Sequence, residues 1–278
     1  MSLITPAVAP TIRGRIGCDA RSGHYAVPRR YRLHLSPACP TCLEIAVTHS
    51  LLDLGDTLPV TLLPAVPDGP GGGYEALLPL YEATSHHHPG PAAAPVLSDG
   101  WTGRIVSTYV PDILRDLSVR FGGSGPELRP RGTEEEIEAL ALLCERDLGV
   151  NAGIAGRPDT APEDRDRALH TLFAALDTLE QRLEGREFAL GGDTPTAADV
   201  QLWVALAYLD TVHRPHLDTV AARCVAHYPR LWDYARRLAA RPAFGAHLDL
   251  AAVALKYHAR CPCPAGAPDT GRGTGQLG

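Results

Sequence analysis

Three observations predict an α/β half followed by an all-helical half. Residues 31–35, Tyr-Arg-Leu-His-Leu, alternate as a strand, and an apolar, helix-like run follows them over residues 43–54. A Gly- and Pro-rich segment at residues 121–132 reads as a linker, and the pattern after it is helical to about residue 258. The chain has 278 residues, enough for one large domain or two ordinary ones.

Taken in order, residues 1–30 form an irregular lead-in rich in Gly, Pro and Arg, without sustained periodicity of either kind. Strands are expected at residues 31–35, 58–63 and 95–97, and helices at 42–54 and 107–117. Strand, helix, strand, then a later strand and helix is the order of a thioredoxin-like sheet layered against helices, and it is assigned to residues 31–120. In the helical half, residues 133–258, Thr133 with Glu136 has the pattern of a capping box opening a helix to about residue 148. Residues 162–183 form a long amphipathic run. Thr196 with Asp199 is a second capping box, opening a buried helix through Trp203 and Tyr208. Further helices are expected at residues 229–240 and, shorter, up to 257. Residues 259–278 read as a disordered tail.

Composition narrows the function. An apolar share of 45% is that of a soluble globular protein with a sizeable core. No apolar run reaches the roughly 18 residues that span a bilayer, and no secretion signal is legible, so the reading is cytoplasmic without membrane contact. The net charge of −6, with both signs mixed along the helices, offers no basic stripe for a nucleic acid. The 7 cysteines are odd in number and read as thiols rather than a disulfide framework. A single lysine among many arginines, with frequent Ala, Gly and Pro, suggests a GC-rich bacterial genome.

Chemistry concentrates at Pro37-Ala38-Cys39-Pro40-Thr41-Cys42, between the first strand and the first helix. A cysteine there sits at a helix start, where backbone N–H groups and the positive dipole end stabilise a thiolate. Cys39 is the expected nucleophile. One helical turn further on, Cys42 is close enough to close a disulfide with it.

A helix-start cysteine in a thioredoxin-like half, followed by a helical half with a Thr-Pro-Thr-Ala-Ala-Asp capping box, resembles the cytosolic glutathione transferase fold. More closely, the chain resembles the xi class, the glutathionyl-hydroquinone reductases. The matching stretches run in order from Arg32-Leu33-His34-Leu35-Ser36-Pro37-Ala38-Cys39-Pro40 through Leu80-Tyr81, Ala94-Pro95-Val96-Leu97 and Arg104-Ile105-Val106-Ser107. They continue with Asp112-Ile113-Leu114-Arg115, Phe173-Ala174-Ala175-Leu176-Asp177, Gly192-Asp193, Leu209-Asp210 and Tyr228-Pro229.

The resemblance implies that Cys39 attacks the sulfur joining a small thiol to a hydroquinone. It also implies that Pro95 is a cis-proline whose neighbour Ala94 pairs with the bound thiol's backbone. Thr41, Thr108 and Tyr109 fall at thiol-binding positions, and His213, His216 and Tyr257 line the pocket for the aromatic substrate. The cofactor is a low-molecular-weight thiol, glutathione or mycothiol, with no metal, and family analogy adds a homodimer.

Departures from the family carry information too. Thr41 and Cys42 stand where the family has Trp-Ala. Thr108-Tyr109-Val110 stands where it has Asn-Glu-Ser, so the Glu-Ser pair that holds the γ-glutamyl end of glutathione is lost, and with it charge-assisted contacts. Two explanations fit: a different thiol, mycothiol, with Tyr109 facing a sugar or inositol, or internal resolution of Cys39 by Cys42. At the second half of the site the matching positions hold His213 and Asp218, with His216 retained. His213 is expected to act as an acid/base near neutral pH.

Plainer readings stand beside these. Cys39 and Cys42 can simply pack. His86-His87-His88 lies in a loop where three adjacent side chains point in different directions. His213 and His216 can be helix-end histidines that meet carbonyls. Cys261-Pro262-Cys263 reads as exposed thiols, and Trp101, Trp203 and Trp232 as packing aromatics. The expected function is a thiol transferase or reductase acting on thiol conjugates of quinone-like or other aromatic compounds. Conjugation of a small thiol to an electrophile, or a non-catalytic binding protein of the same fold, are the alternatives.

Overall fold

The structure is a computed structural model that describes residues 11–121 and 124–260, except the side chains of His258 and Arg260. The chain divides into two compact units, Met1–Gly125 and Pro126–Gly278.

The first unit is a four-stranded mixed sheet with helices. Its elements are β1 (Tyr31–Leu35), α1 (Pro40–Leu51), β2 (Val60–Leu62), α2 (Leu78–Thr84), β3 (Val96–Asp99), β4 (Arg104–Ser107) and α3 (Val110–Arg120). The strand order is β2-β1-β3-β4. β1 pairs parallel with β2, which α1 makes possible as the crossover, and antiparallel with β3, which pairs antiparallel with β4. In β1 the alternation works as read: Tyr31, Leu33 and Leu35 are buried, while Arg32 is exposed.

Other boundaries differ. β2 is three residues rather than the six expected, because only Val60–Leu62 ladders onto β1. β3 starts one residue later and runs to Asp99. β4 and α2 were not expected as separate elements. Residues 107–117, read as helix, begin as the end of β4 and become α3 only at Val110. α1 starts at Pro40, since a proline at the first helical position gives up only an N–H that has no helical partner.

Residues 11–30 of the lead-in are irregular yet firmly attached to this unit. Arg13 bridges to Ser107, and the Gly14 amide donates to the Val106 carbonyl at 2.8 Å. A Cβ at Gly14 would lie 2.4 Å from that carbonyl oxygen, so only glycine fits. Arg15 pairs with the buried Asp116 at 2.6 Å, and the Ile16 amide donates to the same carboxylate at 2.7 Å. Arg30 and Asp99, both buried, pair at 2.8 Å beneath the exposed Trp101 ring.

The second unit is all helical: α4 (Glu134–Leu142), α5 (Asn151–Ala155), α6 (Pro162–Arg182), α7 (Ala197–Tyr208), α8 (Thr219–Val225), α9 (Pro229–Ala239), α10 (Pro242–Gly245) and α11 (Leu250–Arg260). Wider π-type turns continue α4 over Leu143–Val150 and α7 over Leu209–His213. The Thr196–Asp199 capping box is present and heavily used. One carboxylate oxygen of Asp199 accepts the Thr196 amide at 2.7 Å and its hydroxyl at 2.8 Å. The other accepts the Ala189 amide and the Tyr234 hydroxyl, both at 2.7 Å. α7 is buried nearly all round, with the Trp203 indole donating to the Ala235 carbonyl.

The Thr133–Glu136 box does not form. The Thr133 hydroxyl donates back to the Pro130 carbonyl at 2.7 Å, and Glu136 is drawn to Arg182. Trp203 and Trp232 are core residues; Trp101 is not. α11 runs to Arg260, two residues into the segment read as tail, and residues 261–278, with Cys261 and Cys263, lie outside the described residues.

Candidate active site

The turn from β1 into α1 is built by Ser36 and the prolines around Cys39. The Cys39 amide donates to the Ser36 carbonyl at 3.3 Å, and the Cys39 carbonyl accepts the Leu43 amide at 2.9 Å. That makes Cys39 the N-cap residue of α1, with extended backbone (φ −118°, ψ 122°) and Pro40 next in the helix. Its side chain is half-buried, and its Sγ lies 3.2 Å from Thr41 Oγ1. Cys42, on the inner side of the same turn, is 1% exposed and packs in the core.

Tyr74 belongs to this site although nothing in the sequence singled it out. Its buried hydroxyl is hydrogen-bonded to Ser36, whose own hydroxyl donates to the Pro64 carbonyl at 3.2 Å. Burial pushes the Tyr74 phenol up, and the nearby Cys39 and Cys42 add to this against the opposing Ser36 bond, so the ring stays neutral beside the two sulfurs. The Tyr74 amide donates to the Ala92 carbonyl at 2.8 Å, tying the cysteine turn to the segment that enters β3. Gly73 makes that approach feasible, since a Cβ there would lie 2.6 Å from the Ala92 nitrogen. The run Gly71-Gly72-Gly73-Tyr74 was the one signal available.

The Ala94–Pro95 bond is cis, as the resemblance implies. Thr108 and Tyr109 are engaged by the lead-in. The Thr108 hydroxyl accepts the Ile12 amide at 3.1 Å, and the Thr108 amide donates to the Ile12 carbonyl at 2.9 Å. Tyr109 is the N-cap residue of α3, and the Arg13 guanidinium stacks 3.9 Å over its ring while also pairing with Asp112.

In the second unit, His216 stacks on Tyr257 with centroids 5.8 Å apart and planes at 22°. His213 is packed near Gly153 of α5, and burial, with His216 adding to it, pushes its imidazolium down to about 4. The expectation that His213 titrates near neutral pH therefore does not hold; it is uncharged at pH 7. Asp218 caps α8, accepting the Val220 and Ala221 amides at 2.9 Å. In the histidine loop His86 turns to Glu82, and His88 lies against Tyr81. Among the described residues no group of three or more potential metal ligands comes together. A cleft of about 540 Å³ opens in the second unit beside Asn151, Arg157 and Thr171.

Residues 162–237 match the family described as glutathione S-transferase, C-terminal domain. Glutathionyl-hydroquinone reductase PcpF of Sphingobium chlorophenolicum is 27% identical over 266 residues, covering 89% of this chain and 83% of that protein. Glutathionyl-hydroquinone reductase YqjG of Escherichia coli (strain K12) is 27% identical over 253 residues, covering 84% and 75%. A glutathione transferase from Gordonia bronchialis superposes with a TM-score of 0.79 at 28% identity, over 93% of this chain and 87% of that one. The fold is thus that of a cytosolic glutathione transferase. Within that fold the chain is similar to the glutathionyl-hydroquinone reductases, at an identity that marks it as divergent from them. Among its described residues no single helix is long and apolar enough to cross a membrane.

Proposed function

We propose that this chain is a cysteine-dependent thiol transferase of the reductase type, acting on small-thiol conjugates of quinone-like or other aromatic compounds. The setting of Cys39 carries the reading: a half-buried thiol at the N-cap of α1, with a hydroxyl 3.2 Å from its sulfur. The helix dipole favours the thiolate, which is the attacking species. It attacks the sulfur that joins the small thiol to the ring. The S–S bond forms as the C–S bond breaks, and the electron pair left on the ring carbon takes up a proton. A second small-thiol thiolate then attacks the mixed disulfide and restores the Cys39 thiolate. The ring gains two electrons, and two small thiols leave as a disulfide.

On this reading Ala94 and Pro95 present backbone to the cysteinyl part of the thiol, while Thr108 and Tyr109 stand at its far end. There Thr108 is already bonded to Ile12, the Tyr109 ring meets Arg13, and Val110 is apolar, so these three positions offer no carboxylate to an ammonium. That favours a thiol without a γ-glutamyl group, mycothiol in place of glutathione, drawn from a cytoplasmic pool. His216, Tyr257 and the neutral His213 are assigned to the aromatic acceptor. Because Cys42 is buried, a second small thiol from solution resolves the mixed disulfide more readily than Cys42 does.

The test is intact-protein mass spectrometry with peptide mapping, after exposing the reduced protein separately to glutathione disulfide and mycothiol disulfide. A mycothiol adduct on Cys39 is expected. A preference for glutathione overturns the thiol assignment, a Cys39–Cys42 disulfide favours the dithiol route, and an unreactive Cys39 overturns the catalytic reading.

A further inference from the structure

We propose that Thr41 is a positioning residue for Cys39, its hydroxyl donating a hydrogen bond to the ionised sulfur and so favouring the thiolate. The inference rests on the reading of Cys39 as the attacking group. The two atoms are 3.2 Å apart, within the range of an O–H···S bond. Between a thiol and a hydroxyl either atom can donate. Once the sulfur is ionised only the hydroxyl has a hydrogen to give, and bonds to an ionised partner are the stronger kind.

The local chain supports that assignment. Pro40 occupies the first helical position and brings no N–H, so the helix-start donors nearest the cap residue begin at Thr41. Thr41 follows directly, and its β-branched side chain has few χ1 options, so the hydroxyl is held in place rather than recruited. Both side chains are half-buried, where such a bond is stronger than in water. The exchange of an aromatic residue for threonine at this position is on this view the gain of a donor.

Thr41→Val keeps the shape and removes the hydroxyl, and Thr41→Ser keeps the hydroxyl. The measurement is the pH profile of iodoacetamide alkylation at Cys39 in the reduced full chain, followed by peptide-mapped mass spectrometry; the thiolate forms the S–C bond and iodide leaves. The exposed Cys18 and Cys224 serve as references within each sample. In Thr41→Val the Cys39 midpoint is expected to move up by about one to two pH units, the worth of a hydrogen bond to a charged group, with the reference cysteines unmoved. Thr41→Ser is expected to restore it. An unmoved midpoint in Thr41→Val, or a Ser variant that behaves like Val, overturns the proposal. Turnover of a thiol conjugate by Cys39→Ser separately tests the underlying reading: activity there sinks the transferase mechanism, whereas the alkylation profile is judged without any substrate.

Discussion

Acidification below neutrality is expected to destabilise this protein through histidines that fold uncharged. His34 in β1 has its imidazolium pushed down to about 4, first by burial and then by Arg32, with its Nε2 2.9 Å from the Ser98 hydroxyl. His213 is likewise held down to about 4, by burial and by His216. Burial also lowers His49, against the opposing Leu58 and Leu54 carbonyls. An unfolded histidine titrates near 6.5, so the unfolded chain takes up protons that the folded chain refuses. For His34 and His213 the stability contributed is fully present above about pH 6.5, falls as the pH drops, and is lost once it passes the folded value near 4; His49 acts in the same direction.

Between pH 7 and pH 5 a drop of that size corresponds to about 2 kcal/mol for a buried histidine, and partial exposure of His34 trims its share toward about 1 kcal/mol. The assay is urea unfolding at half-unit steps from pH 7.5 to 4.5, in wild type, His34→Gln and His213→Gln. Each variant is expected to lose its own share of the pH dependence while the remainder persists. Above pH 4.5 most carboxylates are already ionised, so the window belongs to the histidines. Should His34→Gln and His213→Gln both retain the full wild-type slope, the assignment of the acid sensitivity to these two rings is refuted.

Two further outcomes follow from the packing. Asp199→Ala removes the acceptor of the Ala189 and Thr196 amides and the Tyr234 hydroxyl in a fully buried setting, and is expected to cost about 4 kcal/mol or more in urea unfolding; a loss under 1 kcal/mol would contradict the network. Gly14→Ala forces a Cβ to within 2.4 Å of the Val106 oxygen and is expected to cost about 1–3 kcal/mol, read as a lowered melting temperature and faster proteolysis at the lead-in, whereas Gly23→Ala serves as a comparison with open space but a positive φ.

What could be read from the sequence depended on how local its cause was. β1, α6 and α7 were legible because each carries its own signal: alternation in Tyr31–Leu35, a long amphipathic period in Pro162–Arg182, and a cap whose partner lies three residues away at Asp199. The placement of Cys39 at a helix start was legible for the same reason, since the strand, the proline and the helix start adjoin it. β4 and α2 are too short to show a period, and what defines β4 is its pairing with β3. Thr133 has the right spacing for a box, yet Glu136 finds Arg182 from another helix, a competitor that no local pattern reveals. Tyr74 reaches Ser36 across 38 positions of chain, and only the fold brings them together. His213 was misjudged because its charge state depends on burial, which spacing does not encode.

The attachment of the lead-in also bears on association. A four-stranded sheet has two margins, and unpaired strand backbone at a margin is a template for another chain. Here residues 12–14 lie along β4 through the Gly14–Val106 and Thr108–Ile12 bonds, and two arginines clamp them to α3. The β4 margin is therefore already occupied by the protein's own backbone. Among the described residues no further strand pairs with β2, three residues long and carrying the exposed Leu62, on its outer side. Shortness limits what it can recruit, so a chain that loses its first sixteen residues would acquire a second and longer unpaired border, with strand-to-strand aggregation as the cost.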